Sequence, residues 1–207
     1  GIRDVVVNLH HLSELVMAGL GDGARYGVRI HYSRETVLLD TGGGIRHAAP
    51  LLERLGAADS PIVVLNSDVI SEIPLADVLR AHRANRADVT LVLRDDPRAA
   101  SYGLFGIDDT GRVRRFLGAG EPPAGLRELM FASLQVLDPA VLATMPDDRP
   151  FGTMRELYPR LFREGARFFG FAYDGLWLTA DTPGDLAATE AHIRTHGPPR
   201  YMRDRQA

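Results

Sequence analysis

Apolar and polar residues follow two alternating patterns through the first half of the chain. Four short runs rich in β-branched and other apolar residues predict strands, at residues 4–9, 28–33, 61–69 and 87–94. Three stretches with apolar residues at helical spacing predict helices, at residues 11–20, 45–55 and 73–84. Repeated strand–helix units with almost continuously apolar strands are typical of a mainly parallel sheet flanked by helices.

The pattern changes after residue 101. Two strand-like runs surround residues 108–111, whose sequence Asp-Asp-Thr-Gly favours a tight turn, and residues 129–137 predict another strand. Helices are expected at residues 153–164 and 182–195. The predicted fold class is therefore α/β, with a mainly parallel first half and a more antiparallel, loop-rich second half.

Three consecutive glycines stand in the sequence TVLLDTGGGIR, between an apolar run and the helix predicted from residue 45. A glycine-rich turn that opens a helix offers bare amide groups and the positive end of a helix dipole, which suit phosphate, carboxylate or a flat polar base. A tight turn with no ligand explains the same pattern. The glycines alone leave both interpretations open.

Composition excludes several classes of protein. The 207 residues include 24 basic and 27 acidic side chains, a net charge of -3, so no basic field favours nucleic acid or an acidic membrane as a partner. All the basic residues are arginine, and no cysteine is present, which excludes thiol nucleophiles and zinc–thiolate sites. No apolar run reaches the ~18 residues of a membrane span. A soluble, cytoplasmic protein is expected.

Six short stretches occur together in an order that resembles the sugar-1-phosphate nucleotidylyltransferases. They are GIRDVVVNLHHLSELV, LGDGARYGVRIHYSRE, LLDTGGGI, VVLNSDV, SYGLFGID and DGLWLTADTPGDL. The resemblance is greatest to bacterial members that act on mannose 1-phosphate or N-acetylmuramate 1-phosphate. It implies one Rossmann-like nucleotidyltransferase domain over residues 1–195, whose antiparallel portion binds the sugar, and a tail at residues 196–207.

The resemblance also implies a reaction and a set of site residues. Such enzymes use Mg²⁺ to transfer a nucleotidyl group from an NTP to a sugar 1-phosphate, giving an NDP-sugar and pyrophosphate. By this likeness the residues that meet the nucleotide base are Asp40, Thr41, Gly42, Gly43 and Gly44. Tyr102 and Gly103 would border the sugar, and Asp68 would be the catalytic metal ligand.

The chemistry of phosphoryl transfer independently favours a carboxylate such as Asp68. In-line attack on the α-phosphorus needs positioning and charge neutralisation more than covalent catalysis. Mg²⁺ is usually held by one or two carboxylates together with substrate phosphates. Asp68 follows a predicted parallel strand, and ligands bind at the carboxyl ends of such strands. A turn or helix-capping role for Asp68 is the alternative.

The chain departs from the family pattern in three places. First, the family's N-terminal strand, its phosphate loop with an arginine, and the following lysine are not found, a segment of about 30–40 residues. An incorrectly assigned start, a truncation or a naturally reduced protein would each explain this. Second, the family's Glu-Lys-Pro is replaced within residues 118–123, where Glu121-Pro122 matches only in part. Arg114 or Arg115 offers charge instead, although a solvated strand face is their simpler role.

Third, Thr179 stands where the family has its second metal aspartate. Asp181, two residues on, either reaches the ion itself or reinforces the N-terminus of the last helix. These departures keep a second function open, that of a degenerate or truncated module that binds a nucleotide or nucleotide sugar without catalysis. A glycosyltransferase-like domain is a third hypothesis, in which Asp68 binds metal but Asn66 replaces the usual first acid. The nucleotide, the sugar and homo-oligomer formation are not determined by the sequence.

Overall fold

The computed structural model describes residues 2–97, 99, 103–120, 124–147 and 149–203. The strands in chain order are β1 (Asp4–Leu9), β2 (Arg29–Arg34), β3 (Ile62–Leu65), β4 (Val69–Ser71), β5 (Val89–Arg94), β6 (Phe105–Ile107), β7 (Val113–Phe116), β8 (Ala119–Gly120), β9 (Arg127–Leu137), β10 (Phe168–Ala172) and β11 (Trp177–Thr179). The α-helices are α1 (Ser13–Leu20), α2 (Asp40–Arg54), α3 (Leu75–Ala84), α4 (Tyr158–Arg163), α5 (Pro183–His196) and α6 (Arg200–Arg203). A π-helical turn, Thr153–Leu157, precedes α4, and short 3-10 helices lie at Ala24–Tyr26, Ala57–Asp59 and Pro139–Thr144.

The chain divides into two compact units. The first comprises residues 1–62 and 138–166, and the second comprises residues 63–137 and 167–207. The α/β class is confirmed, whereas the single domain over residues 1–195 stays a prediction. No helix in the described part of the chain is long and apolar enough to cross a membrane.

In the first unit, β1 and β2 are parallel, and among the described residues they form a sheet of two strands. The register places Asp4 opposite Arg29 and Leu9 opposite Arg34. Hydrogen bonds from Arg29 and His31 hold the pKa of the Asp4 carboxyl at about 2. The register also brings the carboxyl ends of both strands together, and α2 contacts both strands.

In the second unit, a mixed sheet has the strand order β10-β5-β9-β6-β7-β8, and β3 pairs with β9 away from this path. β10 and β5 are parallel, whereas β5–β9, β6–β9, β6–β7 and β7–β8 are antiparallel. The Gly170 amide of β10 donates to the Gly111 carbonyl at 2.8 Å, so the sheet curls until its first strand reaches the β6–β7 turn. The prediction of an antiparallel second half is confirmed.

Two apolar layers cover the sheet of the second unit. One layer is a buried cluster that includes Val78 of α3, Val92 of β5 and Trp177 of β11. The other contains Phe116 with the rings of Phe105 and Phe168 packed edge-to-face at 4.8 and 5.4 Å. Val92 is fully buried. The near-continuous apolar pattern of the predicted strand at residues 87–94 therefore reflects burial on both faces.

Several element boundaries differ from the sequence predictions. The strand predicted over residues 61–69 is divided into β3 and β4 by a turn at residues 67–68. The predicted tail contains α6, whose Arg200 amide donates to the Glu72 carboxylate at 2.6 Å. The largest difference concerns α2, which begins at Asp40, so the three glycines belong to its first turn rather than to a preceding loop.

The β6–β7 turn is held by the side chain of Asp108. Its carboxylate accepts hydrogen bonds from the Thr110 amide and hydroxyl at 3.0 and 2.6 Å and from Arg114 Nε at 2.8 Å. Burial raises the pKa of Asp108, but the hydrogen bonds from Thr110 and Arg114 outweigh it and hold this pKa at about 2. The charged carboxylate therefore stabilises the turn at neutral pH.

Asp108→Asn is expected to lower the free energy of unfolding by about 1–2 kcal/mol at pH 7, because it weakens hydrogen bonds to a charged acceptor. A depressed pKa stabilises the fold above the unfolded value of 3.8, and that stabilisation is lost as pH falls towards about 2. The difference from wild type should therefore shrink between pH 4 and pH 2, measured by urea unfolding. Asp109→Asn, at the exposed neighbouring position, is the control and should change stability little. A constant difference at all pH values would contradict the assignment.

Candidate functional site

The three glycines predicted to meet a nucleotide base are buried in the first turn of α2. Phe151 covers Gly42, since an added Cβ would collide with its ring and lie 2.9 Å from its carbonyl oxygen. At Gly43 a Cβ would lie 2.9 Å from both the Arg149 carbonyl oxygen and Leu39 Cβ. Packing of the protein against itself therefore requires these two residues to be glycine.

The amide groups of the same turn are also engaged within the protein. The Gly42 and Gly43 amides both donate to the Phe151 carbonyl, at 2.9 and 3.1 Å. The Thr41 amide donates to its neighbour Asp40, with 2.6 Å between the nitrogen and Oδ1. These are the amides that an anion at the N-terminus of α2 would use. A phosphate at this helix end would have to displace contacts that already satisfy them.

Asp40 and Thr41 are the exposed residues of the motif, in contrast to the buried glycines. Asp40 has φ +61°, a left-handed conformation that few residues other than glycine adopt and that Asp tolerates better than most. Thr41 accepts a hydrogen bond from the Thr153 amide at 3.1 Å. Side chains and not bare glycine backbone are therefore the groups that this turn offers to a ligand.

Asn8 and Glu35 also lie at this turn, and no sequence motif predicted a site role for them. Asn8 Nδ2 donates to Glu35 Oε1 at 2.9 Å, and the Leu39 amide donates to Glu35 Oε2 at 3.1 Å. A Cβ on Gly44 would collide with Asn8 and lie 2.7 Å from Glu35 Oε1. Both are polar residues at the carboxyl end of a predicted strand, or just after it. Because parallel strands bring their carboxyl ends together, this pattern could have predicted that the two residues meet.

Asp68 and Asp181, both in the second unit, are brought to neighbouring backbone positions. β11 pairs antiparallel with β4, and the Ala180 amide donates to the Asp68 carbonyl oxygen at 2.9 Å. Asp181 directly follows that donor, and both aspartates are exposed. The pairing of two strands distant in sequence thus produces the acidic corner, defined here as Asp68 with Ala180 and Asp181.

Thr179, at the family's second metal position, is buried at the end of β11 and is 6 % exposed. Its backbone pairs with Val69, and its carbonyl oxygen accepts from the Thr189 hydroxyl of α5 at 2.7 Å. The N-terminus of α5 is capped by Thr182 and Asp185, which form a reciprocal capping box. Reinforcement of this helix end by Asp181 stays a prediction.

The acidic corner suits a cation whose remaining ligands come from a substrate. No group of three or more histidine or acidic side chains that could hold a metal occurs among the described residues. Mg²⁺ accepts one or two carboxylates when phosphate oxygens and water complete its coordination. Two exposed carboxylates meet the number that this coordination needs, whereas a closed all-protein site is not formed by the described part of the chain.

The residues expected at the sugar lie only partly within the described part of the chain. Gly103 has φ +87°, a backbone conformation that favours glycine, whereas an added Cβ would meet only the end of the flexible, exposed Leu117 side chain. Tyr102 and Glu121-Pro122 lie outside the described residues. Their expected contacts with a sugar stay predictions.

Arg114 and Arg115, the candidates for the charge of the absent lysine, are both paired with acids. Arg114 Nε donates to Asp108 Oδ2 at 2.8 Å, and Arg115 forms an ion pair with Glu128. Each pair neutralises its arginine and links β7 to a neighbouring turn or strand. A structural role in the β6–β7–β9 sheet accounts for both side chains.

The comparisons with known proteins give the family. The family model described as "Nucleotidyl transferase" matches residues 1–186, and the chain therefore belongs to the nucleotidyl transferase family. A mannose-1-phosphate guanylyltransferase of Mycobacterium tuberculosis is 33% identical over 196 residues, which are 93% of this chain and 52% of that protein. A mannose-1-phosphate guanyltransferase of Yarrowia lipolytica is 29% identical over 188 residues, or 90% of this chain and 50% of that protein. The chain thus spans about half the length of these relatives.

Solved structures agree with the fold. HddC from Yersinia pseudotuberculosis superposes with a TM-score of 0.72 at 18% identity, over 91% of this chain and 77% of that chain. Its structure complexed with GMP-PN superposes with a TM-score of 0.70 at 16% identity, over 88% of this chain and 75% of that chain. At this identity the likeness establishes the shared fold.

Gly44→Ala is expected to lower the free energy of unfolding by about 1 kcal/mol, because the methyl group would displace the Asn8 and Glu35 side chains and break the hydrogen bond between them. Adding Asn8→Ala should recover part of the loss by removing the nearest atom. Urea unfolding of both variants checks this. Gly19→Ala is the matched control, since Gly19 is also helical but an added Cβ there meets nothing within 4 Å. Equal stability of Gly44→Ala and Gly19→Ala would contradict the packing explanation.

Proposed function

We propose that this protein transfers a nucleotidyl group from an NTP to a sugar 1-phosphate, giving an NDP-sugar and pyrophosphate. The observation that carries the proposal is the acidic corner, where β4–β11 pairing brings the exposed Asp68 beside Ala180 and Asp181. Membership of the nucleotidyl transferase family supports it. GTP with mannose 1-phosphate is the first substrate pair, since the relatives named above are mannose-1-phosphate guanylyltransferases.

Each unit carries its own proposed site residues. In the first, the exposed Asp40 and Thr41 contact the nucleotide base, while the buried glycines hold the turn in place. In the second, Asp68 and Asp181 would hold Mg²⁺, and the ion would supply positive charge to the phosphate oxygens. In-line attack of the sugar phosphate oxygen on the α-phosphorus, with pyrophosphate as the leaving group, needs such charge neutralisation.

A second candidate is a module that binds the nucleotide or nucleotide sugar without turnover. Two observations favour it. Thr179 supplies no carboxylate at the second metal position, and Arg114 and Arg115 are already neutralised by acids. Both candidate functions require nucleotide binding, but only the transferase turns its substrates over. Binding and catalysis must therefore be measured separately.

The deciding measurement is pyrophosphate release with Mg²⁺, across five NTPs and a panel of hexose 1-phosphates, together with equilibrium dialysis of each NTP. Release with one substrate pair supports the transferase and identifies its substrates. If an NTP binds but no substrate pair gives pyrophosphate release, the binding module is supported. Absence of both binding and release contradicts both candidates.

Asp68→Asn is expected to reduce the rate of pyrophosphate release by about 100-fold or more, because loss of one carboxylate charge weakens metal binding. The exposed Asp68 side chain has room for the amide, so the urea unfolding midpoint should change little. Asp109→Asn is the control at another exposed aspartate of the second unit. Full activity of Asp68→Asn would remove Asp68 from the mechanism.

Thr179→Asp should lower the Mg²⁺ concentration needed for half-maximal pyrophosphate release, because it adds a carboxylate beside the acidic corner. Threonine and aspartate are similar in size, but a carboxylate at this buried position is costly without a bound cation, so the urea unfolding midpoint should fall when Mg²⁺ is absent. Thr189→Ser is the control, since it keeps the hydroxyl that donates to the Thr179 carbonyl. An unchanged Mg²⁺ requirement would mean that the Thr179 side chain does not face the ion.

A further inference from the structure

Phe151 makes three backbone hydrogen bonds to the turn that opens α2, although it is distant from that turn in sequence. Its carbonyl oxygen accepts from the Gly42 and Gly43 amides at 2.9 and 3.1 Å. Its own amide donates to the Leu39 carbonyl oxygen at 3.1 Å. One residue thus contacts the backbone on both sides of Asp40 and Thr41.

The Phe151 ring reinforces these hydrogen bonds. It covers the bare Cα of Gly42 so closely that no side chain fits between them. The Arg149 guanidinium carbon lies 5.6 Å from the ring centroid, and Phe151 is only 3 % exposed. The ring therefore has a single packed position, and the Gly42 backbone rests against it.

Thr153 adds a side-chain contact two residues along. Its amide donates to the Thr41 hydroxyl oxygen at 3.1 Å, and Thr153 is 2 % exposed. Thr41 is exposed, so one of its faces is fixed by the buried Thr153 while the other is open to a ligand. Residues 151–153 therefore hold the exposed edge of the turn by its backbone and by Thr41.

We propose that Phe151 is the positioning residue of the nucleotide-binding turn, which it holds through Gly42 so that Asp40 and Thr41 present a fixed edge to the base. This inference rests on the proposed function. Phe151 is not expected to touch the nucleotide, because its carbonyl and its ring are both engaged with the turn. The role of Gly42 is then to leave space for the Phe151 ring, not to recognise the base directly.

The test is a double-mutant cycle between Gly42 and Phe151, read out as the Kd for GTP by equilibrium dialysis on folded protein. Phe151→Leu should weaken GTP binding about 10-fold, because small displacements of a binding group cost at least this much. Gly42→Ala should weaken it similarly by pushing against the ring. Gly42→Ala combined with Phe151→Leu should bind GTP better than Gly42→Ala alone, because the smaller side chain makes room for the methyl group.

Two controls separate positioning from loss of stability. Leu161→Val trims another buried residue of the first unit and should lower the unfolding midpoint without changing the Kd for GTP. Amide hydrogen exchange measured by NMR should be faster at Gly42 and Gly43 in Phe151→Leu, since the carbonyl that protects them is less firmly held. If Phe151→Leu does not fold, Gly42→Ala tests the same contact from its other side.

The possible outcomes test the positioning role of Phe151 separately from the proposed function. GTP binding by both Phe151→Leu and Gly42→Ala at the wild-type Kd would overturn the positioning role and leave the proposed function intact. Failure of the wild-type protein to bind any NTP would overturn the proposed function and this inference with it. Loss of GTP affinity with partial recovery in the double variant supports the inference.

Discussion

The first unit depends on one close contact, in which the Phe151 carbonyl accepts hydrogen bonds from two successive glycine amides. Such an approach leaves no space for a side chain at Gly42. It satisfies amides that the first turn of a helix otherwise leaves without partners. The contact joins the start of α2 to the segment that leads into the π-helical turn, next to the exposed Asp40 and Thr41.

Glycine runs at helix starts are commonly assigned to ligand binding, and here the protein itself fills the space. The two explanations are compatible when the glycines hold the turn and the neighbouring side chains meet the ligand. A turn that is anchored from behind is better preorganised than one that must fold around its ligand. The left-handed Asp40 is consistent with this division, because strained conformations persist where the surroundings fix them.

In the second unit, charged side chains differ in their surroundings. Arg114 and Arg115 pair with acids and stabilise the antiparallel strands. Asp68 and Asp181 are exposed and lie next to the hydrogen bond from the Ala180 amide to the Asp68 carbonyl oxygen. Arg94 is different: its Nε is buried without a hydrogen-bond partner among the described residues, 3.3 Å from the Asp96 carboxylate. Its guanidinium also lies 5.1 Å from the centre of the Trp177 ring, which helps to stabilise a partly desolvated cation.

The sequence by itself determined the α/β class, the bounds of β1 at Asp4–Leu9 and the tight turn at residues 108–111. These features depend on side-chain periodicity and turn chemistry within a few residues, so a short window is enough to predict them. Only the tertiary structure decided that α2 begins at Asp40, that Phe151 faces Gly42 and that Glu35 meets Asn8. Those contacts join residues far apart in sequence, and their existence depends on the path of the whole chain, which no local pattern records.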